Sequence, residues 1–387
     1  MHSYNDYSID AYGSMIRDQH RMAAYTAALQ RAISPGCVVL DIGAATGIFS
    51  FLACQFGAAR VYAVEPDPSI EVARNCAKNI AGSDRITWIQ DLSTKIELPE
   101  QVDVVVGDLH GVLPFFKGNI TSLLDARKRH LKPGGKMIPF RDLLYAVPAH
   151  APEEYVRLEA PWMQNEYGLD FSSALPYVTN TWWRASAQRV QAENLLGTPL
   201  LWGEVLYATN DIAKIENVLD WEMSAASVLH GFYVWFDGDL GNDIKYSNSP
   251  VLPALVYGRA FFPLERAVSV QPGDRVKSQL SVHLVKDDYI YRWKTRVTRP
   301  DGRVVADFDQ STFMASVKSL ADIRKGSTEY NPNLTDDGKV TLAALQGMTG
   351  NAPVLEIARD LAARFPERFS NAEAALDVVA RLSRAYG

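Results

Sequence analysis

The stretch Val39-Leu40-Asp41-Ile42-Gly43-Ala44-Ala45-Thr46-Gly47 constrains this chain more than any other. An apolar strand running into glycines lets the backbone approach a ligand closely, and a helix that follows presents its N-terminal amides. The acid at the strand end, Asp41, is placed to accept from a ligand's amino group. A second acid, Glu65, closes the strand Val61-Tyr62-Ala63-Val64 and lies 24 positions after Asp41, where dinucleotide folds bind ribose hydroxyls. On these residues alone a nicotinamide cofactor stays open, although the turn does not match GxGxxG.

The flanking pattern supplies the rest of such a fold. Short apolar runs at 37–42, 61–64, 86–89 and 102–106 read as strands, with helical patterns at 48–56 and 69–80 between them. That alternation predicts a doubly wound, mostly parallel α/β sheet of Rossmann-like type over 1–139. Beyond Pro139 the pattern turns to alternating, aromatic-rich strands at 201–208, 231–236, 276–285, 289–297 and 303–308, with a hairpin turn at 298–303. An antiparallel sandwich or β-barrel is expected over 140–323. The polar stretch 324–338 reads as a linker. Helical patterns at 341–346, 354–365 and 373–386 then make a small helical domain over 339–387, with Ser370 and Glu373 spaced as a capping box.

Composition excludes several function classes. With 47% hydrophobic and 22% charged residues in 387, a packed globular protein is expected. A net charge of −6 lacks the basic excess that drives nucleic-acid binding. The three cysteines, Cys37, Cys54 and Cys76, show no CxxC or Cys/His spacing, so neither a disulfide framework nor a metal site is expected and a cytoplasmic setting fits. The polar start 1–12, with Asp6 and Asp10, lacks a signal peptide's apolar core. The uncharged run 42–59 has the length of a membrane span, but Gly43, Thr46, Gly47, Ser50, Gln55 and Gly57 dilute its apolarity, and no membrane partner is expected.

The segment DIGAATG at 41–47 resembles the D/E-x-G-x-G-x-G loop of class I S-adenosylmethionine (SAM) methyltransferases, with Ala45 where the middle glycine usually stands. Residues 12–21 (YGSMIRDQHR) resemble the N-terminal helix of protein arginine methyltransferases. Residues 162–173 (WMQNEYGLDFSS) resemble that family's dimerisation arm, and Lys132-Pro133-Gly134-Gly135 its turn before a later strand. The likeness runs from about Tyr12 to Phe313. It implies SAM as methyl donor and S-adenosylhomocysteine as product. It also implies Arg21 on the SAM carboxylate, Gly43 and Gly47 along the methionine part, Glu65 on the ribose, and Asp91 and Ser93 near the adenine. A homodimer through an arm at about 160–185 follows from the same likeness.

The catalytic elements depart from the family. Arginine methyltransferases carry two glutamates flanking a loop after the fourth strand, because a guanidinium stays protonated and must be held by carboxylates. Here the loop 107–117 reads GDLHGVLPFFK, with Asp108 in the first position and Lys117 in the second. A lysine facing a guanidinium repels it, by about 1 kcal/mol in water and more in a pocket. The Thr-His-Trp loop is replaced by Leu255-Val256-Tyr257. The expected acceptor is therefore an O or N nucleophile other than arginine. A carboxylate would suit Lys117 and Arg259; a hydroxyl, imidazole or amine would need a base, for which Asp108 and His110 are the candidates. His230 and the aromatic residues Trp162, Tyr167, Trp182 and Trp183 read as packing or dimer contacts.

Residues 341–386 loosely resemble the helical part of the domains that bind leader peptides of ribosomally made natural products, of the PQQ-precursor-binding type. That likeness implies a precursor peptide as substrate; a three-helix cap is the plainer alternative. A small-molecule methyltransferase and a catalytically inactive SAM-binding peptide scaffold remain as further alternatives.

Overall fold

The computed structural model describes residues 8–185, 190, 192–209, 214–286 and 288–387; the polar start that carries Asp6 lies outside them. The chain divides into two units, Met1–Val317 and Lys318–Gly387.

The first unit opens with α1 (Ile9–Arg17) and α2 (Gln19–Ala32), whose N-caps Ser8 and Asp18 accept from the amides of Ala11 and Arg21. Then follow β1 (Val38–Ile42), α3 (Ile48–Gln55), β2 (Arg60–Val64), α4 (Ile70–Ala77), β3 (Ile86–Ile89), β4 (Val102–Gly107), α5 (Asn119–Arg129) and β5 (Leu131–Ile138). The five strands form a parallel sheet in the order β3-β2-β1-β4-β5. Every residue of β1 is buried, as expected of a strand covered on both faces. Its register sets Ile42 beside Val64 on one side and Gly107 on the other. Glu65 and Asp108, the residues just past those strand ends, therefore emerge at one edge of the sheet. That edge is the switch point where strand order reverses and doubly wound folds bind ligands.

The chain continues through β6 (Arg141–Ala149), α6 (Pro152–Met163), α7 (Leu175–Thr179), β7 (Trp183–Ala185), β8 (Leu200–Leu206), β9 (Lys214–Glu222) and β10 (Ser227–Asp239). It closes the unit with β11 (Lys245–Ser247), β12 (Arg259–Val270), β13 (Arg275–Val285), β14 (Asp288–Thr298) and β15 (Val304–Ser311). These strands make two antiparallel sheets, β7-β12-β10-β6-β8 with β11 on β10, and β15-β14-β13-β9. The expected turn at 298–303 joins β14 to β15, closed by the amide of Arg299 donating to the carbonyl of Arg303. Trp202 on β8 donates its indole N–H to Leu280 on β13, and Trp293 on β14 donates to Pro263 on β12, so the two sheets share buried hydrogen bonds. One apolar core runs from Leu40 and Val105 of the parallel sheet to Trp202, Phe232 and Trp293. The regions 1–139 and 140–317 are thus packed as one body, because neither covers its own apolar surface alone.

The second unit holds α8 (Leu320–Lys325), α9 (Asp336–Thr349), α10 (Val354–Arg364) and α11 (Ala372–Tyr386). Its own core joins Val340, Ala344, Ile357, Leu361, Val379 and Leu382. The stretch 324–338 contains the end of α8 and the first turn of α9, capped by Thr335. The cap of α11 is Asn371, whose side chain accepts from the Ala374 amide at 2.9 Å, and not the Ser370/Glu373 box; asparagine caps without a reciprocal acid. Among the described residues no helix is long and apolar enough to cross a membrane, and no group of His, Cys, Asp and Glu has a metal site's arrangement.

Candidate active site

A cavity opens at the carboxyl edge of β1, β2 and β4, with Tyr12, Met15 and Ile16 of α1 along one wall. Its floor is the turn after β1. Gly43 has φ of +71°, and a Cβ there would come within 2.3 Å of Leu109 Cδ2. Gly47 has φ of +85° and caps α3; a Cβ on it would meet the Trp88 ring at 2.7 Å. Ala44, Ala45 and Thr46 line the cavity between them, while Gly47 lies outside the lining and serves packing. Ala45 itself adopts φ of 47°, a left-handed conformation that costs an L-residue roughly 1–2 kcal/mol.

The acids divide into two kinds. Glu65 lines the cavity; its Oε2 accepts from the Ala45 amide at 3.0 Å and its Oε1 from the Asp67 amide at 2.9 Å. Burial pushes its pKa up, against those two amides. Each oxygen keeps further lone-pair capacity toward the cavity, which suits a vicinal diol. Asp41 is fully buried and outside the lining: Oδ2 accepts from the Ser50 hydroxyl at 2.6 Å, while Oδ1 has no hydrogen-bond partner among the described residues. Burial pushes it up to about 7. Asp41, expected from the sequence to accept from a ligand, is thus placed beneath the floor, where its carboxylate ties β1 to α3 through Ser50. Asp91, expected near the adenine, is exposed, lies off the cavity lining and accepts from the Leu92 amide, whereas Leu92 and Ser93 line the cavity.

Arg21, on α2, is 4% exposed and lies with its guanidinium over the rings of Tyr25 and Phe49. Its Nε donates to Asp108 Oδ2 at 2.5 Å, and the Tyr257 hydroxyl donates to the same oxygen at 2.6 Å. His110 Nδ1 stands 2.9 Å from Asp108 Oδ1 and Nε2 stands 2.8 Å from Asp142 Oδ2. Tyr207 donates its hydroxyl to that Asp142 oxygen at 2.6 Å, and Phe236 stacks on the imidazole. Burial raises the Asp108 carboxyl, but Arg21 and then His110 outweigh it and hold the group well below the usual range. Burial likewise opposes a charged His110, but Asp142 and Asp108 outweigh it and push it up to about 10. His110, a candidate base from the sequence, thus has both ring nitrogens committed to carboxylates, an arrangement that favours the charged imidazole.

Lys117 lines the cavity with φ of 45°, its ammonium 5.3 Å from the centre of the Phe116 ring. Arg259 is buried away from it, donating to the carbonyls of Ser249 and Leu252. His230 is packed under α6, accepting from the Ala151 amide at 3.2 Å. Sequence reasoning missed Tyr257, Asp142 and Tyr207. Tyr257 was legible as the third residue of Leu255-Val256-Tyr257; Asp142 and Tyr207 carried no local signal.

The description "Methyltransferase domain" matches residues 39–135, and with the glycine turn and Glu65 it defines a class I SAM-dependent methyltransferase. The chain is 30% identical over 294 residues to protein arginine N-methyltransferase 6 of Danio rerio, covering 73% of this chain and 83% of that protein. It is 30% identical over 242 residues to the probable protein arginine N-methyltransferase 6 of Arabidopsis thaliana, covering 61% of this chain and 55% of that protein. The chain belongs to the protein arginine N-methyltransferase family. It spans less than two thirds of the length of several curated relatives that it matches. The fold is also that of the Trypanosoma brucei PRMT1 enzyme-prozyme heterotetrameric complex with AdoHcy, with a TM-score of 0.69 at 22% identity over 78% of this chain and 96% of that one.

Proposed function

We propose that the protein transfers a methyl group from SAM to an O or N nucleophile other than an arginine guanidinium, on a peptide or small natural product. The observation that carries this reading is Lys117 on the cavity wall, in the loop position where the family places its second glutamate. A guanidinium needs two carboxylates; here Asp108 is already occupied by Arg21, Tyr257 and His110, and Lys117 adds a cation. Bound SAM supplies an electrophilic methyl on a sulfonium. This chain's residues supply the cradle: the turn 43–46 for close backbone approach, Glu65 for the ribose hydroxyls, Ser93 on the adenine side and Arg21 for the carboxylate. The complex named above contains AdoHcy, which supports that assignment.

The helices of the second unit support a peptide substrate through their likeness to leader-peptide-binding domains. A homodimer is supported by the segment after α6, where Tyr167, Leu169 and Phe171 are exposed. Three cysteines without a disulfide support a cytoplasmic setting. Calorimetry with S-adenosylhomocysteine tests the donor site. Product analysis by mass spectrometry with arginine-rich peptides tests the acceptor: efficient methylarginine formation would overturn the assignment of Lys117.

A further inference from the structure

Among the described residues, the ionisable side chains that line the cavity are Tyr12, Arg21, Glu65, Asp108, His110, Lys117 and Tyr257; a phenol holds its own proton at neutral pH and is no base there. An acceptor that arrives with a proton needs one of them to receive it. Glu65 accepts from the amides of Ala45 and Asp67, and its remaining lone pairs are the ones assigned above to the donor's ribose. Asp108 takes three donors, from Arg21, Tyr257 and His110. A carboxylate so held is a poor base, since each donor stabilises the charged form that proton uptake would abolish. His110 faces a carboxylate oxygen from each nitrogen, at 2.9 and 2.8 Å, so it has no lone pair to offer. Tyr207 and Tyr257 spend their hydroxyl protons on Asp142 and Asp108. The wall also carries the Lys117 ammonium.

We propose, resting on the methyltransferase reading above, that the acceptor is a carboxylate and the product its methyl ester. A carboxylate oxygen is already anionic, so no base is required: the oxygen forms the new C–O bond as the C–S bond of the sulfonium breaks and its electron pair stays on sulfur. No proton moves. Alignment and charge then supply the catalysis. Lys117 attracts the carboxylate and repels ammonium and guanidinium groups, which explains one substitution in the loop; the closed Asp108–His110–Asp142 chain explains why a base is dispensable.

The test uses the full chain, SAM labelled on its methyl group, and a pool of random-sequence peptides in two forms. The acid form keeps Asp, Glu and a free C-terminus; the amide form carries Asn, Gln and a C-terminal amide. An arginine-rich peptide is the third probe. The acid form alone should be labelled, and mild alkali should release the label as methanol, as it does from an ester and not from an N-methyl group. The acid form should also bind the S-adenosylhomocysteine-loaded protein about tenfold more tightly than the amide form. That preference should vanish in Lys117→Glu and shrink in Lys117→Gln, with S-adenosylhomocysteine affinity unchanged in both. Alkali-stable label, label on the amide or arginine-rich peptides, an acid pool that takes no label, or equal binding of the two forms overturns the proposal. Failure of S-adenosylhomocysteine to bind the wild-type chain, measured first, would instead overturn the methyltransferase reading on which it rests.

Discussion

The guanidinium of Arg21 and the carboxylate of Asp108 form one buried ion pair, Nε to Oδ2 at 2.5 Å, although they are separated by 87 positions in the chain. The residue assigned to the donor's carboxylate and the residue that begins the acceptor loop are therefore not independent. Asp108→Asn keeps the shape and removes the charge, leaving Arg21 and His110 short of an anion. Breaking a buried pair costs about 3–5 kcal/mol. Urea unfolding should show a loss of that order; a variant as stable as wild type would mean that the pair is not buried in solution.

His110 should make stability depend on pH in a particular direction. Its folded pKa is raised from 6.5 to about 10, so its contribution is complete below about pH 6.5 and is lost as pH rises toward 10. His110→Gln lacks that contribution. The melting-temperature gap between wild type and variant should therefore be widest near pH 6 and narrow steadily toward pH 10. A gap that is constant over this range would exclude a charged imidazole.

Glu65 lines the side of the cavity proposed for the ribose and accepts from one amide on each oxygen, so Glu65→Ala removes a charge-assisted acceptor together with the partner of the Ala45 amide in the glycine turn. Affinity for S-adenosylhomocysteine should fall by about 1–3 kcal/mol in calorimetry. Unchanged affinity would remove Glu65 from the donor site.

The exposed segment after α6 bears on assembly. Tyr167 is 80% exposed and Leu169 58%, an arrangement a lone chain would not favour. Light scattering should give twice the chain mass for wild type and the mass of a single chain for Tyr167→Asp combined with Leu169→Asp. Wild type running as one chain across a range of concentrations would rule out the arm as a dimer contact.

Local signals carried much of this molecule. The apolar runs that became β1 to β4 were legible because both faces of a parallel strand are buried, so periodicity is replaced by a plain apolar stretch. The turn 43–47 was legible because left-handed backbone selects glycine, and Glu65 because its distance from that turn is set by one βαβ unit. Less was legible among the antiparallel strands: β6, β9 and β12 escaped, since Arg141, Pro148, Glu216 and Arg259 interrupt their alternation and partners distant in sequence supply the pairing.

From the sequence alone came a nucleotide-type cofactor site, because a glycine turn and an acid one strand away are constraints of backbone geometry and survive without knowledge of the rest of the chain; the likeness to the family narrowed the cofactor to SAM. That likeness also implied that Lys117 stands where the family has an acid. Only the tertiary structure decided what Asp41, Asp108 and His110 do. A carboxylate beneath the floor bonded to Ser50, and one on the wall bonded to Arg21, Tyr257 and His110, look alike as letters. Whether such a group is a base, an anchor or a brace depends on its burial and on charges brought to it from distant segments, as Asp142 and Tyr207 are brought to His110, and those distances exist only once the chain has folded.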